Sequence, residues 1–355
     1  MRLVSLSSAG LEQLQHAAAS PLARPSAAQL LPAARSAEGV ARLEALLLRA
    51  ARSAPRELAS AAADLVQAGG KRVRPLLVLL AARAAAPGRR ARGRVALALV
   101  AELVHSATLL HDDVIDDGLT RRGLPAPRVA YGNGVSVLAG DWLLAASLDL
   151  ALRSGAPGAV SALVRTLRDL VEGEARQLGL RGSTHFTAGD ALDICRLKTG
   201  ALFAYCGEAG GLAARALPEV TAALREFGLR AGTAFQIADD LLDFEADAAT
   251  MGKAVLADVA EGKPSLPLAL ALSREPPLRG EMEAILRELP LPDDQVRSRT
   301  RAFAVRLARS GALADARRIA AGERDAALAA LQPLPRSPTR ELLAQVARTL
   351  LSRSS

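Results

Sequence analysis

Two aspartate clusters with the same internal spacing are the residues in this chain best suited to chemistry. The segment LLHDDVIDDGLTRRG (109–123) contains Asp112, Asp113 and Asp116, and the segment FQIADDLLDF (235–244) contains Asp239, Asp240 and Asp243. Residues four apart share one face of a helix, so each cluster brings three carboxylates together. Because like charges repel, each cluster needs a compensating cation. Carboxylate oxygens favour a hard ion such as Mg²⁺, which completes its shell with waters and substrate phosphates.

Basic side chains accompany both clusters. The segment GGKRVRP (69–75) places Lys71, Arg72 and Arg74 beside a double glycine, Arg121 and Arg122 follow the first cluster, and Lys198, Lys253 and Lys263 flank the second. The first of these segments is either a solvated turn or a phosphate clamp, since close backbone approach and several cations suit a phosphate. The arginine pair either bridges to the aspartates or binds the same polyanion. Carboxylates and cations together predict a metal-bridged diphosphate.

Uncharged polar residues lie near the same positions. His105 precedes Asp112 by two helical turns and shares its face, although a lone histidine on a helix is more often a hydrogen-bonded core residue. Gln236 lies three residues before Asp239, and Thr199 follows Lys198. His111 points about 100° away from Asp112, so we interpret it as structural.

Helices must position these residues. The sequence is 50% hydrophobic but only 3% aromatic, so its core consists mainly of Ala, Leu and Val, which favours helix packing over a sheet. Apolar periodicity predicts helices that include residues 94–116, 141–152, 188–214 and 218–249, with a loop after the first aspartates and no strand. Residues 1–38, rich in Ala, Ser and Pro, predict a weakly ordered extension before a domain over 39–355.

Composition excludes several other classes. The net charge is +8, but the arginines are scattered and no zinc-finger or RNA-binding signature accompanies them, so we expect no nucleic-acid partner. Two cysteines form neither a disulfide framework nor a zinc site. No uninterrupted apolar run reaches about 18 residues and no signal peptide is evident, which predicts a cytoplasmic protein without a transmembrane segment.

The motifs together resemble those of a known family. In order they are GGKRVRP, LLHDDVIDDGLTRRG, YGN, LAGDWLL, LKTG, FQIADDLLDF, GK and EGKPSLPL. This series is similar to that of the trans-type (E) polyprenyl diphosphate synthases, also called isoprenyl diphosphate synthases, over roughly residues 40–350. The resemblance implies an all-α isoprenoid-synthase bundle around a central cavity, usually a homodimer and in some long-chain members a heteromer. It also implies several Mg²⁺ ions per active site.

The same resemblance assigns roles to individual residues. Metal ligands match Asp112, Asp116 and Asp239, and the catalytic set adds Asp113, Asp240, Asp243, Lys198 and Lys253. The isopentenyl diphosphate site matches Lys71, Arg74, His105 and Arg122, and the allylic diphosphate site matches Arg121, Lys198, Thr199, Gln236 and Lys253. Ser265 retains a hydroxyl where the family often has Thr. The implied reaction is ionisation of the allylic diphosphate, head-to-tail condensation with isopentenyl diphosphate and loss of a proton to the released diphosphate.

The helix before the first aspartates bears on product length. In the family the growing tail follows this helix, and here Ala107 and Thr108 lie one turn before Asp112, with Val104 and Ala101 deeper. About 16 Å of helix therefore lacks a bulky side chain that would block the channel, which favours a product longer than C20. Such a product would partition into a membrane. Trp142 or Leu143 could still close the channel.

Three alternative functions stay open, and a fourth is set aside. A short-chain farnesyl or geranylgeranyl diphosphate synthase is the nearest, and a class I terpene cyclase or a non-catalytic diphosphate-binding subunit is more remote. A di-iron carboxylate bundle is disfavoured because it would use two Glu-x-x-His pairs, and the sequence contains one, Glu102 with His105.

Substitution of Ala107→Phe or Thr108→Phe tests the predicted channel. An aromatic ring at either position should block the tail and shorten the products, as measured by mass spectrometry. Unchanged product lengths would show that this face of the helix does not line the channel.

Overall fold

The described residues of the chain are almost entirely helical. The computed structural model describes residues 40–89, 91–249, 259, 261–287 and 302–351. Its helices in the first half are α1 (Val40–Arg52), α2 (Arg56–Gln67), α3 (Val73–Ala85), α4 (Arg94–Ile115), α5 (Pro127–Tyr131), α6 (Asn133–Arg153) and α7 (Ala159–Leu180). The later helices are α8 (Ala188–Cys195), α9 (Ala201–Ala214), α10 (Pro218–Ala249), α11 (Leu266–Arg274), α12 (Pro276–Arg287), α13 (Ala312–Ala330) and α14 (Pro338–Leu351). Residues 302–309 are also helical. The predicted all-α class is confirmed.

The chain divides into two compact units, each assembled from separate stretches of sequence. Unit 1 takes the described residues up to 165 together with 205–225 and 331–346, and unit 2 takes 166–204, the described part of 226–330, and 347–351. The predicted extension over residues 1–38 and the predicted site residue Lys253 lie outside the described residues. The single domain over 39–355 stays a prediction.

Helix α4 is the centre of unit 1 and carries the first aspartates on its last turn. It packs against α3 and α6. Apolar side chains such as Leu97, Leu103 and Leu110 are completely buried along it. The helix begins after Gly93, whose left-handed backbone (φ 83°) suits glycine, and ends at Ile115. Burial of this apolar run therefore fixes where Asp112 and Asp113 emerge.

Two helices of unit 1 are long and apolar enough, by composition, to cross a bilayer. They are α4 and α6. Most of the apolar stretch of α4 is buried inside the protein. In α6 only about a third of the corresponding stretch is buried. A core helix of a soluble protein passes the same test, so this finding is weak evidence for a membrane span. The predicted lack of a transmembrane segment stays a prediction.

A small hairpin follows the first aspartates, and the prediction of a loop without strands was wrong there. Strands β1 (Thr120–Arg121) and β2 (Leu124–Pro125) pair antiparallel. Arg122 and Gly123 connect them with φ values of 53° and 79°, as in a two-residue type I′ turn. Strands of two residues are too short to show an alternating pattern in the sequence. The hairpin presents Arg121 and Arg122 from a defined backbone.

Two helix boundaries also differ from the sequence prediction. Helix α6 begins at Asn133, about two turns before the expected Asp141. The helix expected over 188–214 is interrupted by a π-helical turn at Arg196–Gly200. Local π-helical geometry leaves the apolar period on either side almost unchanged, so hydrophobic patterning does not reveal it. π-helical turns occur frequently at functional sites, and this one carries Lys198 and Thr199.

The core of unit 2 surrounds the second aspartate helix. Ile237 and Leu241 of α10 pack in one hydrophobic cluster with Leu266 and Leu268 of α11 and with residues of α8, α12 and α13. Glycines let the backbone of α10 approach the segment after the π turn. A Cβ atom at Gly228 would lie 2.6 Å from the carbonyl carbon of Phe203 and 2.9 Å from Cα of Ala204. Real Cβ atoms do not approach backbone so closely.

Substitution of Gly228→Ala should therefore destabilise the protein. We expect the free energy of unfolding to fall by about 1–3 kcal/mol, because the new methyl group forces the two helices apart. Denaturant unfolding measures the change. Gly322→Ala is the control within unit 2: nothing lies within 4 Å of its Cβ position, so this helical site should gain about 0.5–1 kcal/mol. Equal effects at both positions would contradict the packing argument.

Candidate active site

The glycine loop, residues 69–74, forms one wall of the candidate site in unit 1. Gly69 and Gly70 have φ values of 82° and 153°, which other residues rarely adopt. Lys71 is exposed on this loop, while Arg72 turns inward with only 4% of its surface exposed. Gly70 also makes room for Arg122, because a Cβ atom there would lie 3.2 Å from a guanidinium nitrogen of that residue. The structure thus brings Arg122 onto the glycine loop.

Arg74, His105 and Arg122 form a basic cluster in unit 1. Burial lowers the pKa of Arg74, while the Glu102 carboxylate opposes this shift and Arg122 adds to it. Burial also lowers the pKa of His105 well below its usual range, and the charges of Arg74 and Arg122 lower it further. His105 is therefore neutral at neutral pH and presents an N–H donor and a ring-nitrogen acceptor. These mutual effects place three of the four predicted isopentenyl diphosphate residues in one neighbourhood.

The first aspartate cluster divides into a buried and two partly exposed carboxylates. Asp113 is completely buried and accepts a hydrogen bond from Nε of Arg121 at 2.9 Å, with a second contact from Nη2 of the same arginine. Gly118 makes room for this carboxylate, since a Cβ atom there would lie 3.2 Å from Oδ1 of Asp113. Asp112 and Asp116 are partly exposed on the last turn. The sequence left two roles open for Arg121, an ion pair with the aspartates or binding of a polyanion, and the structure contains the ion pair.

The residues around the first aspartates are held by contacts that the sequence analysis did not predict. Arg128 donates to Asp117 at 2.7 Å and to the carbonyl of Gly118 at 3.3 Å. His111 lies 3.1 Å from the carbonyl oxygen of Val137, consistent with its structural interpretation. The partners of Arg128 and His111 are distant in sequence or lie in a turn, so residue spacing does not predict these contacts.

A hydrogen-bonded chain links the predicted site residues of unit 2. Thr199 donates to Oε1 of Gln236 at 2.5 Å, and Nε2 of Gln236 donates to Asp240 at 2.8 Å. Cys195, to which the sequence assigned no role, donates to the other oxygen of Asp240 at 3.8 Å. The π turn and α10 thus hold Thr199, Gln236 and Asp240 as one polar network.

Two carboxylates of the second aspartate cluster, Asp239 and Asp240, retain protons more strongly than ordinary carboxylates do. Burial raises the pKa of Asp240 to about 6, with a further upward effect of the Asp239 charge and a downward effect of the Gln236 hydrogen bond. Asp239 reaches solvent, yet the protein atoms packed around it raise its pKa as well. Asp243 is partly buried on the same helix. A bound cation would remove the penalty for ionising these groups.

Lys198 forms an ion pair that the sequence analysis missed. Its Nζ contacts Oε2 of Glu174 on α7, and both side chains are about one-fifth exposed, at 22% and 19%. Gly173 permits the approach, since a Cβ atom there would lie 2.7 Å from Cβ of Leu197. The adjacent Gly173 and Glu174, a small residue beside an acid, were the sequence feature that could have indicated this ion pair. Glu174 thus balances the charge of Lys198.

The donor set of both clusters suits Mg²⁺. Among the described residues, no group of three or more His, Cys, Asp and Glu side chains could hold a metal ion by themselves. Mg²⁺ does not need such a cage, because it is usually bound by one or two carboxylates, waters and substrate phosphates. The raised pKa values of Asp239 and Asp240 indicate carboxylates that lack positive charge. Oδ2 of Asp113 is buried without a hydrogen-bond partner, although its Oδ1 is paired with Arg121. The residues present therefore fit the metal.

The residues predicted to set product length lie in the core of unit 1. Ala107, Val104 and Ala101 are completely buried, as is Leu143 on α6. Thr108 is partly buried and donates its hydroxyl hydrogen to the carbonyl of His105 at 2.9 Å. No aromatic residue occupies this face of α4.

Comparison with known proteins gives the family. The family model "Polyprenyl synthetase" matches residues 55–301. The chain is 35% identical over 289 residues to the octaprenyl diphosphate synthase of Escherichia coli, covering 81% of this chain and 88% of that protein. It is 36% identical over 315 residues to the nonaprenyl diphosphate synthase of Mycobacterium tuberculosis, covering 89% and 92% respectively.

Solved structures agree with this match. A polyprenyl synthase from Caulobacter crescentus, complexed with calcium and isoprenyl diphosphate, superposes with a TM-score of 0.83 at 34% identity, covering 94% of this chain and all of that one. The fold described above is thus that of a class of all-α prenyl-transferring enzymes. The chain belongs to the polyprenyl synthetase family.

Stability should depend on pH through Asp240. A raised carboxyl pKa means that the folded protein holds the proton more tightly than the unfolded chain, so stability falls as pH rises from about 4 to about 6 and stays lower above that range. Asp240→Asn should therefore raise the free energy of unfolding of the metal-free protein by on the order of 1 kcal/mol at about pH 8, and much less at about pH 4.5.

Asp190→Asn is the control with the opposite sign. Hydrogen bonds from Thr187 lower the pKa of Asp190, so its stabilising effect is present at high pH and is lost as pH falls. This variant should be more destabilised at about pH 8 than at about pH 4.5. Urea unfolding with a chelator present measures both, and a pH-independent effect of Asp240→Asn would contradict the burial argument.

Proposed function

We propose that this protein is a long-chain trans-polyprenyl diphosphate synthase that condenses an allylic diphosphate with isopentenyl diphosphate and releases diphosphate. The observation that carries the proposal is the basic cluster of Arg74, neutral His105 and Arg122 against the glycine loop. A terpene cyclase ionises one allylic diphosphate and has no use for a second diphosphate site. The family match supports the same conclusion.

Isopentenyl diphosphate binds, in this proposal, to the basic cluster and Lys71. Guanidinium groups suit phosphate oxygens because they donate two parallel hydrogen bonds. The neutral imidazole of His105 adds an N–H donor among several cations without adding a further charge. Desolvation of Arg74 strengthens its attraction for an anion, because buried charges are screened less than exposed ones.

The allylic diphosphate is assigned to Arg121, Lys198, Thr199, Gln236 and Lys253. Two of these groups pair with carboxylates of the protein, since Arg121 contacts Asp113 and Lys198 contacts Glu174. Binding of a diphosphate therefore exchanges a carboxylate for a phosphate at each cation. Asp112, Asp116 and Asp239 are the proposed ligands of Mg²⁺, which supplies charge neutralisation to the departing diphosphate.

The reaction breaks the allylic C–O bond and forms a C–C bond. Lys198 and Arg121 stabilise negative charge on the leaving diphosphate as the allylic cation develops. The double bond of isopentenyl diphosphate, held by the basic cluster, attacks this cation, and the proton lost afterwards passes to the released diphosphate. The apolar surroundings of α4 exclude water, which would otherwise capture the cation.

The products are proposed to be longer than C20. Ala107, Val104 and Ala101 offer no bulky side chain along α4, and the octaprenyl and nonaprenyl synthases named above are long-chain enzymes. A short-chain farnesyl or geranylgeranyl diphosphate synthase remains the second candidate, because the completely buried Leu143 could close the channel.

The proposed working state is a cytoplasmic homodimer. Helix α6 exposes the apolar side chains Val137, Leu138 and Leu152, with exposed fractions of 38%, 56% and 71%. A second copy of the chain could cover this face, and a heteromeric partner is the alternative. A long prenyl product would itself partition into a membrane.

Purified protein incubated alone with Mg²⁺, isopentenyl diphosphate and farnesyl diphosphate tests the function. We expect a discrete set of elongated prenyl diphosphates by mass spectrometry, and light scattering of the same sample should report a dimer. A chelator should abolish turnover, because the leaving diphosphate would lose its counter-charge.

Other products of this incubation decide between the candidates. Elongation that stops at C20 or below would replace the long-chain assignment with the short-chain one. Hydrocarbon formed from farnesyl diphosphate would identify a cyclase. Tight, magnesium-dependent binding of a diphosphate analogue without turnover, with geranyl diphosphate tried as starter as well, would indicate a non-catalytic subunit.

A further inference from the structure

The last turn of α4 carries the first aspartate cluster but lies beyond the apolar contacts that bury the rest of the helix. Leu110 is the last completely buried apolar residue of α4. The final carbonyl groups of a helix have no partner within the helix, and helix ends fray when nothing else holds them. Here the carbonyl of Asp112 accepts from the N–H of Asp116 at 2.8 Å. The carbonyl of Asp113 accepts from the N–H of Gly118 at 2.9 Å. The turn that presents these carboxylates therefore depends on contacts outside α4.

His111 makes such a contact with α6. Its Nε2 lies 3.1 Å from the carbonyl oxygen of Val137 and 3.4 Å from Oδ1 of Asp141. A carbonyl oxygen and an ionised carboxylate only accept hydrogen bonds, so Nε2 carries the hydrogen and donates it. Val137 and Asp141 are four residues apart and share one face of α6. The imidazole thus connects the last turn of α4 to this face.

Gly140 lies on the same face of α6 and makes room for the imidazole. A Cβ atom there would lie 2.2 Å from Nε2, 2.6 Å from Cδ2 and 2.9 Å from Cε1 of His111. The three heavy atoms nearest to that Cβ position all belong to this one ring. A side chain at position 140 would therefore displace the imidazole before it met any other group. The hydrogen bond of His111 depends on a glycine at this place.

We propose that His111 is a positioning residue for the first aspartate cluster, whose hydrogen bond to α6 keeps the last turn of α4 closed and so presents Asp112 to Mg²⁺ in a fixed direction. The inference rests on the proposed function, in which Asp112 is a metal ligand. It concerns the backbone that carries Asp112. A merely structural His111 would stabilise unit 1 as a whole without affecting how the protein binds the metal.

Hydrogen exchange of the metal-free protein examines the turn directly. In His111→Ala, the amides of Asp116 and Gly118 should exchange about fivefold faster, because the loss of one hydrogen bond accounts for a factor of this size. Exchange through local opening should leave the amide of Leu103, in the middle of α4, unchanged over the same labelling time. Faster exchange spread evenly along α4 would support the merely structural role.

The Mg²⁺ dependence of turnover is the second readout. His111→Ala should raise the Mg²⁺ concentration for half-maximal activity by about fivefold, because the apparent affinity falls with the fraction of protein in the closed, binding-competent state. At saturating Mg²⁺ its kcat should stay within about twofold of that of the parent, because the bound state is the same. His111→Gln should restore the parent value, because its amide nitrogen takes nearly the place of Nε2. The shorter His111→Asn should not restore it.

Gly140→Ala breaks the same contact from α6. Because its methyl group displaces the imidazole, this variant should show the same shift in Mg²⁺ requirement as His111→Ala. The double variant should be no more impaired than either single variant, because it has no imidazole left to displace. Gly134→Ala is the matched control on α6: nothing lies within 4 Å of its Cβ position, so its Mg²⁺ requirement should equal that of the parent.

Two results would overturn the proposal. One is a Mg²⁺ requirement in His111→Ala equal to that of the parent, and the other is a double variant in which the effects of the two single variants multiply. If His111→Ala does not fold, Gly140→Ala compared with Gly134→Ala decides the question in the same way.

Calorimetric binding of inorganic diphosphate at a series of Mg²⁺ concentrations gives the same comparison without turnover. His111→Ala and Gly140→Ala should need more Mg²⁺ than the parent to reach the same affinity for diphosphate. A parent protein that binds diphosphate with Mg²⁺ but forms no product would contradict the proposed function, while the comparison of the variants would still test the role of His111.

Discussion

The burial of charged side chains within apolar helices is the constraint on which the described site residues depend. Each unit contains charged groups that could not remain ionised in such surroundings without a partner. In unit 1, Glu102 faces Arg72 and Asp113 faces Arg121. In unit 2, Glu174 faces Lys198, while Asp240 is hydrogen-bonded by Gln236 and has a raised pKa. The protein thus supplies internal counter-charges at the residues where the proposed reaction needs substrate and metal.

These counter-charges differ in burial, and the difference separates two tasks. The Arg72–Glu102 pair is almost completely enclosed, so it fixes the backbone of the glycine loop. The Lys198–Glu174 and Arg121–Asp113 pairs keep the cation partly exposed, at 22% and 32%, so a phosphate can reach it. The enclosed ion pair stabilises the fold, and in the partly exposed ion pairs a ligand can replace the carboxylate as partner of the cation.

Much of this arrangement is predictable from the sequence, because it depends on helical periodicity and charge. The all-α class, the placement of Asp112 at the end of α4 and the grouping of Arg74, His105 and Arg122 follow from spacing and from the ordered motifs. The π turn at Arg196–Gly200, the β1–β2 hairpin and the inward direction of Arg72 do not. Each depends on local backbone geometry or on partners far along the chain, such as Val66 and Glu102, and residue types alone do not specify these.

The low pKa of His105 has a consequence for how the site responds to acidity. Because this imidazole is already neutral, and Arg74 and Arg122 remain protonated, the basic cluster keeps the same charge across the physiological pH range. Any change in affinity there must then arise from the ligand, whose terminal phosphate takes up a proton at about pH 6. The charge of the basic cluster therefore stays constant with pH, and its affinity depends on the ionisation of the bound ligand. The basic cluster would therefore distinguish a fully ionised diphosphate from its protonated form.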